Sequence, residues 1–217
     1  MANSSLGRSH RAAVCVALLS LLAASVAPAA ESDDARAVVE ELFDTLIEIA
    51  AIEPALDPDA RYALLEPVVT EAYNLPRMGE VAAGRSWNSW SATERETFLE
   101  TFVRLSVTQH TFRFASMTAD MLEVLDSAPN DTSTAYDVAT VIHRNNGEED
   151  VALDYTVESD GGRWRIVNVV RDGTSSEVSS MRSSYRAILA ESGLEGLLAD
   201  LEDQIAECHS VRGCYRR

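Results

Sequence analysis

Apolar residues recur with the period of an α-helix along the first half of the chain. Over residues 35–52 they return every three or four positions, with acidic residues between them. A second run of this kind covers 59–73, where Pro67 predicts a kink. A turn and a short helix are predicted at 74–84, and the letters SATE at 91–94 form a capping box that predicts the start of a long helix.

The period changes to two after the long helix, which is typical of strands with one apolar face. A short strand is predicted at 121–125, and longer strands are predicted at 136–142, 151–157 and 164–171. The Asn-Gly pair at 146–147 favours a tight hairpin between the second and third of them. The pattern therefore predicts a four-stranded antiparallel meander.

Helical periodicity returns at about 175–191 and again at about 194–207, after Gly193. Helices, then an antiparallel sheet, then helices predict an α+β layer fold in which the helices lie on one face of a curved sheet. We expect a single domain at 31–217, with helices at 31–115, the sheet at 116–172 and helices at 173–217.

The first thirty residues predict a secretory signal peptide. Arg8 and Arg11 precede an apolar run at 12–26, and the letters APAA at 27–30 supply small residues for cleavage. The apolar run is too short to cross a bilayer as a helix. Cys15 lies near the start of this run rather than its end, which favours a secreted protein over a lipoprotein. The mature chain is expected to be exported, and periplasmic in a Gram-negative source.

The mature chain is strongly acidic. Its leader contains two arginines and no acidic residue, so cleavage lowers the net charge from −17 to −19. A surface of this charge is repelled by nucleic acid and by anionic lipid headgroups. This composition excludes a function in binding DNA or RNA.

Two cysteines remain after cleavage, Cys208 and Cys214, in the letters CHSVRGC. Because an exported chain meets an oxidising compartment, a short disulfide is the favoured interpretation. His209 between them allows a metal site as the alternative, but two cysteines and one histidine lack a fourth ligand. We therefore expect no metal.

A group of hydroxyls follows the last predicted strand. Thr174 and Glu177 fit the pattern T-x-x-E of a second capping box. The alternative is a catalytic nucleophile at Ser175 or Ser176, which needs a base nearby. No nucleophile-elbow motif is present, and the histidines of the mature chain lie in no recognisable catalytic motif: His110, His143 and His209. The pattern favours the helix cap.

The same region carries a family resemblance. A strand led by tryptophan ends in an acidic turn with glycine and serine, followed by a helix with arginine and an aromatic residue and then a Gly-x-x-x-Leu-x-x-x-Leu helix. The residues are Trp164, Asp172, Gly173, Ser176, Arg182, Tyr185, Gly193, Leu197 and Leu201. In the first half, a methionine, a Gly-x-x-Trp pattern and a capped helix with two phenylalanines match too: Met78, Gly84, Trp87, Phe98 and Phe102.

Together these residues resemble the MlaC-type periplasmic lipid-binding proteins, also called the toluene-tolerance or ABC-transporter auxiliary family. The resemblance covers nearly all of residues 36–205, and the letters LPRM and DGTSSE are most similar to the hopanoid-associated, HpnM-like branch. Two positions depart from the family pattern, because Asn168 stands where aspartate is usual and His110 where tyrosine is usual.

The resemblance implies an NTF2-like cone with a helical annex that holds the acyl chains of a phospholipid between sheet and helices. The implied partners are an inner-membrane complex of MCE protein and ABC transporter and an outer-membrane lipoprotein complex. Such a carrier competes with bilayer hydrocarbon for its cargo, so its pocket must be long, dry and apolar. It needs no catalytic residue and no cofactor. The expected pocket residues are Val69, Tyr73, Met78, Phe98, Phe102, Val138, Leu153, Tyr155, Val157, Trp164 and Ile166.

Three alternatives remain open. The cargo could be a hopanoid-type lipid rather than a phospholipid. The protein could be an enzyme on the same NTF2-like cone, with Asp137 or Asp154 as a buried general base, although both follow the polar phase of their strands. It could also be a periplasmic adaptor whose apolar groove holds a partner helix.

Overall fold

The computed structural model describes residues 28–52, 54–131, 134–144, 147–210 and 214. The predicted signal peptide lies outside these residues, except for its last three, which begin the first helix. The leader and the limits of the mature domain therefore stay predictions.

Five α-helices form within the described residues, close to the places where the helical period predicted them. The first begins earlier than predicted, and a 3₁₀ turn at Gly84–Ser89 separates the third from the fourth. Their bounds are α1 Pro28–Ala50, α2 Pro58–Ala72, α3 Leu75–Ala83, α4 Ala92–Arg113 and α5 Glu177–Cys208. The last helix is broken at Gly193, whose φ of 65° and ψ of −164° are accessible mainly to glycine. This break separates the two C-terminal helices that the sequence predicted.

The strands form one antiparallel sheet in the order of the sequence, which confirms the α+β prediction. The sheet has five strands rather than four, because a pair of serines after the last long strand adds a short edge strand. The strands are β1 Leu122–Pro129, β2 Ala135–Ile142, β3 Val151–Asp160, β4 Arg163–Arg171 and β5 Ser175–Ser176. Two residues are too few to leave an alternating pattern in the sequence.

The inner face of the sheet depends on a register shift between β3 and β4. Val157 lies opposite Ile166, whereas Thr156 lies opposite Asn168, so one residue of β4 is left over. In a regular strand Ile166 and Val169 would face opposite sides, because they are three positions apart. The extra residue brings both into the buried interior.

Helical segments cover both edges of the sheet. At the β1 edge, the Arg36 guanidinium donates to the carbonyls of Val124 and Leu125, each at 3.2 Å. At the β4 edge, the backbone N–H of Asn74 donates to the Ile166 carbonyl at 2.8 Å. These contacts satisfy backbone groups that an open edge would expose and connect α1 and the link between α2 and α3 to the sheet.

The helices also pack closely on one another. Gly79 of α3 lies so near α4 that a β-carbon there would be 2.9 Å from Leu99 Cδ2 and 3.3 Å from Phe98 Cε1. A β-carbon at this position would force the end of the Leu99 side chain to move and the Phe98 ring to shift slightly, so glycine allows the closest approach of the two helices. None of the helices in the described part of the chain combines the length and the apolar character that crossing a membrane requires.

One of the two predicted helix caps is correct. Ser91 Oγ accepts from the Glu94 N–H at 3.2 Å, and the Glu94 carboxylate accepts from the Ser91 N–H at 2.7 Å, which is the predicted capping box of α4. The cap predicted at Thr174 and Glu177 is wrong, because Ser176 caps α5 by accepting from the Ser179 N–H at 3.2 Å. Pairing of β5 with β4 keeps the chain extended through Ser176, so the helix starts later than its pattern predicted.

We expect Ser176→Ala to lower the free energy of unfolding by about 1–2 kcal/mol, because it removes the cap and the hydrogen bond that Ser176 Oγ donates to Asn168 Oδ1. The matched variant Thr174→Ala should change it by less than about 0.5 kcal/mol, since this side chain is exposed and caps nothing. Urea unfolding of both variants measures the difference. A larger loss for Thr174→Ala would contradict the assignment of the cap.

Candidate functional site

The pocket residues predicted from the strands all lie on the inner face of the sheet. Four of them are fully buried: Val138, Tyr155, Val157 and Ile166. Leu153 and Trp164 are half-buried and pack against the same core. The Trp164 ring meets the Tyr136 ring edge-on, with 5.5 Å between the ring centres.

The pocket residues predicted from the helices are buried in the same apolar interior: Val69, Tyr73, Met78, Phe98 and Phe102. Six of the eleven predicted side chains have an exposure of 0%: Val69, Phe98, Phe102, Val138, Val157 and Ile166. A side chain without exposed surface borders no space that a water molecule could occupy. At these positions the interior is therefore filled by packed side chains and not hollow.

An aromatic cluster surrounds Phe98 on the helical side of the interior. The Phe98 ring lies 5.1 Å from the Trp90 ring and 6.2 Å from the Tyr185 ring, centre to centre. Tyr185 comes from α5, and Trp90 directly precedes the cap of α4. Neither Trp90 nor Tyr185 was among the predicted pocket residues, because their places in the sequence do not show that they converge on Phe98.

Three polar side chains meet inside this apolar interior. Tyr73 follows α2, His110 belongs to α4 and Tyr155 belongs to β3. His110 Nδ1 lies 2.8 Å from the Ser106 carbonyl oxygen, and His110 Nε2 lies 3.2 Å from the Tyr73 hydroxyl. Tyr155 lies close enough to Tyr73 for each phenol to shift the pKa of the other. We call Tyr73, His110 and Tyr155 the polar trio.

The hydrogen bonds of the polar trio run in one direction. A carbonyl oxygen can only accept, so His110 Nδ1 carries the hydrogen and donates it to Ser106. In the neutral ring Nε2 then has no hydrogen and accepts from the Tyr73 hydroxyl.

Burial keeps all three members of the trio uncharged at neutral pH. It lowers the pKa of His110 to about 4, and the nearby Arg113 lowers this pKa further, while the hydrogen bond to Ser106 opposes the shift. Burial also raises the pKa of the Tyr73 and Tyr155 hydroxyls, and each is raised further by the charge of Glu177. Arg113 and Glu177 form an ion pair at 3.6 Å.

Aromatic rings enclose the polar trio. The Phe43 ring of α1 meets the Tyr155 ring edge-on, with 5.7 Å between the centres. The Phe114 ring stacks on the His110 ring at 5.6 Å. The trio is therefore a small polar region with apolar walls. Local sequence patterns could not predict it, because its members come from three distant segments.

The carboxylates considered as a general base lie on the other face of the sheet. Asp137 accepts from Asn130 Nδ2 at 2.6 Å and from Thr156 Oγ1 at 2.8 Å, and neither donor belongs to the interior. Burial and the charge of Asp137 raise the pKa of Asp154. Neither carboxylate faces the buried core that the helices cover.

The cysteines of the C-terminal region are joined. Cys208 at the end of α5 forms a disulfide with Cys214. His209 lies beside this bond, and its ring contacts Phe112 with 5.1 Å between the centres. Among the described residues no group of histidine, cysteine and acidic side chains has the arrangement of a metal site.

Two surface grooves are found in the described part of the chain, and none of the predicted pocket residues lines either of them. The first, between α2 and α4, has a volume of about 900 Å³ and is lined in part by Tyr62, Trp87, Leu99, Val103 and Arg104. The second, of about 420 Å³, lies between α3 and the end of β3. Trp87 and Leu99 line both grooves.

The chain belongs to the MlaC family. Residues 36–203 match the model of the family described as MlaC protein, which is most of the chain. No curated protein matches this sequence.

The fold agrees with that assignment. It is similar to the structure of a phospholipid-binding protein from Ralstonia solanacearum in complex with a phospholipid, with a TM-score of 0.70 and 19% identity. The match covers 82% of this chain and 99% of the Ralstonia chain. At this identity the likeness establishes a shared fold.

The environments of His110 and His143 shift the pKa values of their rings in opposite directions. We expect the ring of His110 to stay neutral until the pH falls to about 4, whereas His143 binds its proton above the usual range, because hydrogen bonds to Asp150 and Glu123 raise its pKa. The unfolded chain protonates histidine near pH ~6.5, so burial of neutral His110 lowers stability as the pH falls below that value. NMR titration of the ring signals measures both, and a His110 signal that titrates near neutral pH would contradict the burial of the polar trio.

Proposed function

We propose that the protein binds a phospholipid, with the acyl chains between the inner face of the sheet and the helices. It would carry this lipid across the periplasm, between an inner-membrane complex of MCE protein and ABC transporter and an outer-membrane lipoprotein complex. The observation that carries the proposal is the single apolar interior between sheet and helices, in a chain of the MlaC family whose fold resembles that of a phospholipid-binding protein.

Because the interior is packed, a lipid can enter only if the sheet and the helices separate. The contacts between them are largely apolar, as in the edge-on pair of Phe43 and Tyr155. Apolar contacts have no strict direction, so the same side chains can pack against methylene groups of an acyl chain. Binding thus replaces contacts within the protein by contacts with the lipid.

This replacement fits the thermodynamics of a carrier. Each methylene buried from water contributes about 0.8 kcal/mol, but a lipid in a bilayer is already out of water. The affinity of a carrier for the lipid must therefore be close to that of the bilayer. A carrier with a much higher affinity could not release its cargo. An interior that closes on itself keeps apolar surface away from water after release, which favours unloading.

The same proposal assigns the protein no catalytic reaction. Ser176 serves as a helix cap, and the carboxylates of Asp137 and Asp154 lie on the face of the sheet opposite the interior. Carrying a lipid requires only that the apolar interior opens and closes.

The acidic surface fits a carrier that dissociates from membranes. With a net charge of −19 after cleavage of the predicted leader, the protein is repelled by anionic headgroups within a Debye length, ~8 Å at physiological salt. A carrier held at a bilayer surface could not cross the periplasm. Export by the predicted signal peptide would place it in that compartment.

A hopanoid-type lipid is the alternative cargo. The letters LPRM and DGTSSE are similar to the hopanoid-associated branch of the family, and a largely apolar interior would also accept a rigid polycyclic lipid. Extraction of the purified protein with organic solvent, followed by mass spectrometry, distinguishes the two cargoes.

We expect Leu153→Asn to lower the amount of lipid that copurifies with the protein about tenfold, because it places an amide where an acyl chain would pack. Leu153 is half-buried on the inner face, so the fold tolerates this change better than a change at a fully buried position. Mass spectrometry of the extracted lipid measures the loss.

Ala152→Asn is the matched control, since Ala152 is the exposed neighbour on the same strand and faces the opposite side of the sheet. It should retain as much lipid as the unchanged protein. Urea unfolding checks that both variants are folded. If the unchanged protein contains no lipid and takes none from phosphatidylethanolamine vesicles, the proposed function is wrong.

A further inference from the structure

One part of the surface departs from the acidic character of the chain. Residues 178–190 of α5 contain two arginines and no aspartate or glutamate, and residues 81–93, which include the 3₁₀ turn, contain one arginine and no acidic residue. The two stretches meet in the fold, because a β-carbon at Gly84 would lie 3.2 Å from Arg182 Nε. The surface around this contact therefore receives positive charge and no negative charge from the two stretches.

The three arginines of these stretches are exposed and have no anionic partner. They are Arg85, Arg182 and Arg186, and none of them forms an ion pair or a hydrogen bond with a residue that the structure describes. The other described arginines either pair with an acidic side chain or donate to a backbone carbonyl. We call Arg85, Arg182 and Arg186 the arginine face.

The stability of the fold does not account for the arginine face. Arg182 and Arg186 are four residues apart on one helix, so their like charges face each other and disfavour the helix slightly. Arg182 lies at the C-terminal end of α3, where a positive charge interacts favourably with the helix dipole. This interaction explains one cation, whereas Arg186 lies a helical turn further along α5.

The shape of the arginine face favours a flat partner. Neither of the two surface grooves is lined by a residue of α5. Between the arginines α5 exposes small side chains, such as Ser183 and Ala187. Protein partners usually bind through large side chains that fill pockets, and none is exposed on α5 between Arg182 and Arg186. Long cationic side chains that rise from a row of small residues instead fit a layer of phosphate groups.

We propose that the arginine face is a docking surface for a bilayer that contains anionic phospholipids. Charges beyond a Debye length, ~8 Å at physiological salt, are largely screened, so a bilayer that touches this face interacts mainly with its arginines. Acidic groups elsewhere on the chain repel the same bilayer, which keeps the contact weak, reversible and limited to one orientation. The inference goes beyond lipid carriage, because the contact requires no lipid in the interior.

The test is binding of the purified protein to two kinds of vesicle, one of phosphatidylcholine mixed with phosphatidylglycerol and one of phosphatidylcholine alone. Flotation of the vesicles separates bound from free protein. At ~0.15 M salt we expect about tenfold stronger partitioning onto the anionic vesicles, and at ~1 M salt, where the Debye length is ~3 Å, we expect this preference to disappear.

Arg182→Gln combined with Arg186→Gln should lower partitioning onto the anionic vesicles by about tenfold or more, since each arginine near an anionic surface contributes roughly a fivefold factor. The matched control is Arg163→Gln combined with Arg171→Gln. It removes the same charge from two exposed arginines that pair with acidic side chains, and it should leave the partitioning unchanged or weaken it slightly. Arg182→Lys combined with Arg186→Lys should keep the preference, because the charge is retained.

Each outcome decides the inference independently of lipid carriage. Equal partitioning of the unchanged protein onto both kinds of vesicle overturns the docking surface, and so does an equal loss in the two glutamine pairs. A preference lost in the lysine pair contradicts the electrostatic origin of the contact. Urea unfolding shows whether each variant is folded, and if the Arg182 and Arg186 glutamine pair is not, the comparison of vesicles and of salt with the unchanged protein decides. Copurified lipid is measured separately, so an empty protein that still docks overturns only the proposed function.

Discussion

The apolar inner face of the sheet must be kept out of water, and the rest of the structure depends on this constraint. Residues from β2, β3 and β4 form this face, and one extra residue in β4 brings Ile166 and Val169 onto it together. Such a face needs a cover of matching shape, which α1 and the following helices provide. The proposed function sets the same requirement both with and without cargo, and under that proposal packed side chains and acyl chains are alternative covers for one surface.

The two layers differ in how their elements are held. Helices α3 and α4 approach closely at Gly79, an aromatic cluster links α4 with α5, and a disulfide closes the end of α5. Between sheet and helices, directional bonds are concentrated at the sheet edges, through Arg36 and Asn74. Directional bonds fix a geometry, whereas apolar contacts can be exchanged. This distribution of directional bonds therefore favours separation of the sheet from the helices over disruption of the helical layer.

The periodicity of the sequence predicted most elements, because each strand and helix buries one face of its own. It missed β5 and the cap at Ser176, since both depend on the pairing of two serines with the end of β4, and two residues leave no alternating pattern. The predicted pocket residues lie in one interior, but their packing could not be predicted from alternation, which reports burial and not free volume. The polar trio could not be predicted for another reason. Tyr73, His110 and Tyr155 belong to no local motif, and only the fold brings them together.

The polar trio shows how polar side chains are accommodated in an apolar interior. A buried polar group is unfavourable unless it is hydrogen-bonded. His110 sets the direction of the hydrogen bonds, because it donates through Nδ1 to the Ser106 carbonyl and accepts through Nε2 from the Tyr73 hydroxyl. Reversing that order would require a protonated imidazole, which burial with a pKa of about 4 prevents at neutral pH.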